Sequence, residues 1–248
     1  MKKLFILLAA LLLGGSIGTV YLLLDNFHIE EKRGSTLIST ENIRVSVPAG
    51  YLTKKEVLIF SIRAEKAYRD IVKYMGEENA AATEPSKLYL AEGSFISHAN
   101  GKFIKLSYVK EGRSPYLHEL VHTLTDSSLK RRRWMREGLA IYLNDYLGGS
   151  STFPNYGEDI DGLAREYMED PEYSHILTLE DRYWSNVSVE ERRAFYLYSG
   201  SLTKYIIETY GRDYYMDIFN GERLDFIEGE QGERIVKEWI GKINQAGV

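Results

Sequence analysis

The chain has 248 residues, with 31 basic and 36 acidic side chains and a formal net charge of −5. Hydrophobic residues make up 44% and cysteine is absent, so a core can form without disulfides, while thiolate zinc sites, iron–sulfur clusters and a cysteine nucleophile are excluded. The acidic balance argues against a basic nucleic-acid-binding surface, and no nucleic acid is expected as a partner.

Lys2 and Lys3 precede Leu4–Leu24, a run without a charged residue. Crossing a bilayer takes about 20 apolar residues; a signal peptide has a shorter apolar region and a small-residue cleavage site. Gly14–Gly18 could hold such a site, yet hydrophobicity resumes over Val20–Leu24, for which a signal peptide has no need. Residues 1–24 are therefore read as a signal or transmembrane anchor, the uncleaved N-terminal transmembrane helix being preferred to a cleaved segment and a secreted product. Either way the two lysines stay inside and the remainder is extracytoplasmic. The polar stretch 25–42 reads as a tether, and 43–248 as one domain.

Ile43–Val47 alternates apolar and polar residues and stops at Pro48, the pattern of a short strand. Thr53 followed by Glu56 is a capping box, opening a helix whose apolar residues recur at helical spacing as far as Gly76. Lys87–Ala91 reads as a second strand and Lys102–Val109, after the Asn100-Gly101 turn signal, as a third. From Ser114 onward nearly everything reads as helix, with Ser114 as N-cap, Pro115 in the first turn, and a second capping box at Ser188 and Glu191. Strands first and helices after predict an α+β fold: a small N-terminal mixed β-sheet with helices, then a mainly α-helical half, with an active-site cleft between them.

The chemistry-bearing segment is Tyr116-Leu117-His118-Glu119-Leu120-Val121-His122-Thr123-Leu124. His118 and His122 are four residues apart and lie one above the other on one helix face, so both can bind one zinc ion. Glu119 is turned about 100° from His118 and flanks the metal, within reach of a water on it. Fourteen residues separate His122 from Glu137, which stands in Trp134-Met135-Arg136-Glu137-Gly138-Leu139-Ala140-Ile141-Tyr142. A carboxylate on that second helix supplies a third ligand and leaves one position open, the composition of a catalytic zinc site.

The pairing of Leu-His-Glu-Leu-Val-His with Trp-Met-Arg-Glu-Gly-Leu-Ala resembles the gluzincin zinc metallopeptidases, closest to their compact peptidase MA-like branch, with HExxH followed by a helix opening W-x-x-E-G-x-A. The resemblance covers Ile43 to about Phe219. It implies Zn2+ held by His118, His122 and Glu137, and Glu119 as catalytic base. It implies a strand before the first metal helix that binds a peptide or protein substrate along the cleft, a place occupied by Phe103, Ile104, Lys105, Leu106 and Ser107 within Phe103–Val109. It also implies a later helix tyrosine that stabilises the oxyanion, for which Tyr196 is preferred to Tyr198.

The resemblance is incomplete. The glycine-x-methionine-glutamate-asparagine motif of the large aminopeptidases is absent, so amino-terminal specificity is not implied, and Ile141 stands where thermolysin-like enzymes have an aspartate that orients a histidine. Asn144, Asp145 or a backbone carbonyl would have to take that part. His98 could touch substrate, and Lys130–Arg133 reads as a solvated turn or a basic rim. The expected function is thus a membrane-anchored extracytoplasmic zinc metallopeptidase that hydrolyses peptide bonds by glutamate-assisted attack of water. A surface binding or assembly module that keeps the zinc-helix scaffold without turnover is the alternative.

Overall fold

Alternation of apolar and polar residues builds the sheet. A computed structural model describes residues 27–32, 34–81, 84–125, 132–181, 187–223 and 229–245. Its strands are β1 (His28–Lys32), β2 (Ser35–Ser39), β3 (Ile43–Pro48), β4 (Ser86–Leu90), β5 (His98–Asn100) and β6 (Phe103–Leu106), in the spatial order β1-β2-β3-β4-β6-β5. β1, β2 and β3 form an antiparallel meander, β3, β4 and β6 run parallel, and β5 returns antiparallel on the outside of β6. Val45, Val47, Leu88, Leu90, Ile104 and Leu106 all point to one face and are buried.

The helix α1 (Lys54–Met75) connects the parallel strands β3 and β4 and packs on that face through Val57, Phe60, Ala64, Tyr68 and Ile71. Both bonds of its capping box form between Thr53 and Glu56, and the chain leaves it at Gly76, whose φ of 88° suits a residue without a Cβ. The buried carboxylate of Glu65 fastens α1 to the β2–β3 loop. It accepts from Thr40 Oγ1 at 2.6 Å, Asn42 Nδ2 at 2.6 Å and Arg69 Nε at 2.9 Å, so its charge is fully compensated.

The structure bears out a mixed α+β architecture with a six-stranded sheet, and it differs from expectation in three places. Residues 28–39, read as part of a tether, form the β1–β2 hairpin, turning at Gly34 with φ 92°. Of the nine positions in β1 and β2 whose burial is described only Ile38 is buried, which left the hydropathy signal weak. Phe27 already packs against the core. Phe103–Val109, read as the outermost strand, is shortened to β6 and flanked on both sides. The hairpin loop Gly101-Lys102 folds β5 back outside it, so the edge is His98–Asn100. Ser114 does not cap its helix: α2 (Tyr116–Leu124) has Pro115 at the cap, the Ser114 hydroxyl is buried without a hydrogen-bond partner among the described residues, and Tyr116 is seated edge-on against Phe60 at 5.4 Å.

The helical half comprises α3 (Arg133–Tyr146), α4 (Ile160–Glu169), α5 (Val189–Tyr210), α6 (Arg212–Phe219) and α7 (Glu230–Gln245). Its central feature is the close crossing of α3 on α5. A Cβ on Gly138 would lie 2.2 Å from Thr203 Oγ1 and 2.5 Å from the Ser199 carbonyl oxygen, and one on Gly200 would lie 2.8 Å from Ile141 Cγ2. Only glycine permits this approach. The buried Tyr215 hydroxyl donates to the Met135 carbonyl at 2.9 Å and so ties α6 to the first turn of α3. Among the described residues no helix is long and apolar enough to cross a membrane, and Leu4–Leu24 lies outside them.

Gly138→Ala should be destabilising, because the obstructing atom at 2.5 Å is backbone. The expected loss is about 2–3 kcal/mol, the range for overpacking a tight interior, visible as a lower urea midpoint at unchanged m.

Candidate metal centre

α2 presents its apolar residues Leu117, Leu120, Val121 and Leu124 to the core, and Thr123 Oγ1 meets Ser86 Oγ of β4 at 3.1 Å. Rotation of the helix is thereby fixed, and His118 and His122 project together on the other side. Their Nε2 atoms are 3.1 Å apart. α3 brings in Glu137, whose Oε2 stands 3.5 Å from His118 Nε2 and 3.2 Å from His122 Nε2. A tetrahedral ion with ligands at about 2.0–2.1 Å spaces neighbouring donors by about 3.3–3.4 Å. The three measured separations bracket that value, so one ion fits between the donors with little movement.

The group is sheltered from water: His118 is 8% exposed, Glu119 6% and Glu137 4%. Neither Glu137 Oε2 nor His122 Nδ1 has a protein hydrogen-bond partner among the described residues. Two imidazole nitrogens and a carboxylate oxygen converging at these separations is an arrangement that a cation satisfies. Two histidines and one carboxylate, with no sulfur, is the donor set of a catalytic zinc site. Burial alone would raise the Glu137 carboxyl, but the neighbouring imidazoles of His122 and His118 overcome it and hold the group well below the usual carboxylate range. Its other oxygen is 4.0 Å from Arg133 Nη1, one helical turn earlier.

Glu119 is not part of the triad of donors. Burial raises its carboxyl; His118 opposes this, Glu137 adds to it, and His98 and the backbone amide of Ala99 oppose it. The amide identifies a piece of the site contributed by β5. In an antiparallel ladder alternate residues exchange hydrogen bonds with the partner strand; Ala99, opposite Ile104, turns its N–H away from β6, and its effect on Glu119 is the smallest of these.

The structure distributes the remaining candidates unevenly. Tyr196, on α5, lies beside His118 with ring centroids 6.4 Å apart and planes 16° from parallel. Tyr198, two residues on, is wholly buried, packs edge-on against Trp239 at 6.3 Å, and has its hydroxyl pushed upward in pKa by burial. Ile104 and Leu106 are core residues, Phe103 and Lys105 face the opposite side of the sheet, and the buried Ser107 hydroxyl donates to the Phe95 carbonyl. With β4 and β5 on either side, β6 has no free edge for a peptide; β5 has. Asn144 donates to the Ser150 carbonyl and Asp145 accepts from Asn155, so neither orients a metal-site histidine. Arg133 could have been found from its i, i+4 spacing to Glu137. Ala99 acts through its backbone, which leaves no residue-type signal.

No family model matches the chain, and no curated protein does. Among solved structures, the M1 zinc metallopeptidase from Deinococcus radiodurans is similar at 15% identity with a TM-score of 0.48, covering 87% of this chain and 51% of that one. A point mutant of the same protein gives 14% identity, a TM-score of 0.45 and the same coverage. The chain thus spans about half the length of the structures it matches. The site is read from its own geometry.

Zinc at 100-fold over its dissociation constant should stabilise the protein by about 2.7 kcal/mol, raising the melting temperature by roughly 5–10 °C. His122→Ala should abolish that rise and the bound zinc seen by elemental analysis; a full equivalent of tightly held metal in the variant would refute the ligand set.

Proposed function

We propose that the chain is a zinc-dependent metallopeptidase. The observation that carries this reading is Glu119: a carboxylate buried beside the two histidines and outside the ligand set. A purely structural metal site needs a closed set of ligands and no such neighbour.

Zn2+ held by His118, His122 and Glu137 would supply a water of lowered pKa and a polarised carbonyl. Glu119 takes a proton from the attacking water and returns it to the leaving amine. Its burial, which raises the affinity of the carboxylate for that proton, suits both halves of the transfer. The free edge of β5 receives an extended peptide by main-chain hydrogen bonding, which requires no particular sequence. Tyr196, beside His118, is positioned to donate to the oxygen that becomes negative as the carbonyl is attacked. Peptides or proteins are the substrates.

The sequence of Leu4–Leu24 supports attachment to the cell membrane, with Lys2 and Lys3 inside and the catalytic domain outside. Only Asp25 and Asn26 separate that run from Phe27, which packs on the core.

Glu119→Gln should retain zinc and lower peptide hydrolysis by about 10²–10⁴-fold. Native-rate cleavage by this variant would sink the mechanism, and zinc-loaded wild-type protein without chelator-sensitive cleavage would favour a binding module. Alkaline carbonate extraction should leave the full-length chain in the membrane pellet; release into the supernatant would refute the anchor.

A further inference from the structure

The loop from Leu147 to Asp159, between α3 and α4, is absent from the mechanism above, yet it reaches the metal centre through a chain of aromatic rings. Phe153 stands edge-on to Tyr196 with centroids 5.3 Å apart, and Tyr196 lies 6.4 Å from the His118 ring. Tyr156 follows at 6.3 Å from Phe153. Phe153 is partly buried and Tyr156 is 56% exposed, so the chain of rings runs from His118 outward to solvent.

The loop is held rather than loose. Asn155 donates through Nδ2 to Asp145 at 2.9 Å and to the Glu158 carbonyl at 3.0 Å; Arg193 Nε donates to the Pro154 carbonyl at 2.9 Å; Asn144 Nδ2 donates to the Ser150 carbonyl at 3.1 Å. The guanidinium of Arg193 also lies 5.6 Å from the centre of the Tyr156 ring. Tyr156 itself has φ 52°, a left-handed conformation uncommon for a residue with a bulky side chain. Strain of this kind persists where the surroundings over-determine it, and it gathers at ligand-contacting positions. Here the backbone is held in an unfavourable conformation while its ring is left in water.

We infer that Phe153 and Tyr156 form a specificity wall beside Tyr196, which takes an aromatic or large aliphatic side chain of the substrate next to the scissile bond. The inference rests on the peptidase reading and adds a substrate class to it. The site then has two unlike sides: the backbone edge of β5, indifferent to side chains, and an aromatic side that discriminates among them. A preorganised apolar surface of this sort loses no ordering entropy on binding, and covering one large side chain with it favours the ligand by about tenfold or more.

Hydroxamates of phenylalanine and of glycine carry the same zinc-binding group and differ only in the side chain offered to the wall. Titrated into the zinc-loaded protein, the phenylalanine compound should bind about tenfold or more tightly. Phe153→Ala and Tyr156→Asn should each bring the ratio of affinities toward one with zinc content unchanged. Asn suits the left-handed backbone at position 156, which guards against a result caused by unfolding. Equal affinities in the wild type, or a ratio indifferent to both substitutions, overturn the wall. A preserved ratio in a protein that cleaves no peptide overturns the peptidase reading and leaves the wall standing. Cleavage of a mixed peptide library without regard to flanking side chains overturns the wall and leaves that reading intact.

Discussion

The approach of α3 to α5 at Gly138 and Gly200 sets the geometry of everything that follows it. With no Cβ at either position the two helix backbones come within a distance that any other residue would obstruct. Glu137 immediately precedes one of these glycines and Tyr196 lies one helical turn before the other. A carboxylate and an aromatic ring from two different helices are therefore brought to the same histidine pair. The Tyr215 hydroxyl, bonded to the Met135 carbonyl, holds the first turn of α3 from behind. Helix crossings of ordinary width would place these groups several ångströms further apart, beyond the span of one ion.

Three buried carboxylates show how packing alone separates framework from chemistry. Glu65 has partners for both oxygens, among them a guanidinium, and its role ends at joining a loop to a helix. Glu137 and Glu119 are buried nearly as deeply, but the oxygen that Glu137 turns toward the histidines has no hydrogen-bond partner among the described residues, and Glu119 has its affinity for a proton raised. An incompletely satisfied charge in the interior is destabilising unless something else compensates it. The apolar faces of α2 and α3, anchored in the core, supply the rigidity that lets this arrangement persist.

Much of the site could be read from sequence because helices convert spacing into direction: His118 and His122 at four residues, and Glu137 on the next helix, needed no tertiary information beyond one turn between helices. The capping boxes at Thr53 and Ser188 were legible for the same reason, being local. What depended on strand order was not. Asn100-Gly101 announced a turn, but whether the residues before it paired outside or inside the following strand is decided by the whole sheet, and so the cleft-lining strand was expected at Phe103–Ser107 while the sheet margin is His98–Asn100. The β1–β2 hairpin escaped because strands at the margin of a sheet, with few buried side chains, can be almost as polar as a linker. Phe153 and Tyr156 escaped because nothing local indicates which core element a loop aromatic will meet.

The sheet ends in two unlike margins. β1 carries His28, Glu30 and Glu31 along its five residues, so a stray strand pairing there must accommodate charge at nearly every step. β5 has three residues, too few for main-chain bonding by itself to retain another chain for long. One margin repels and the other barely holds, which protects the exposed protein from joining its own kind edge to edge. A ligand that also grips the histidine–glutamate centre escapes this limitation, since two weak attachments made at once multiply. Under the proposed function, retention on β5 would act as a coincidence detector, in which a backbone counts only when it arrives with something to offer the centre.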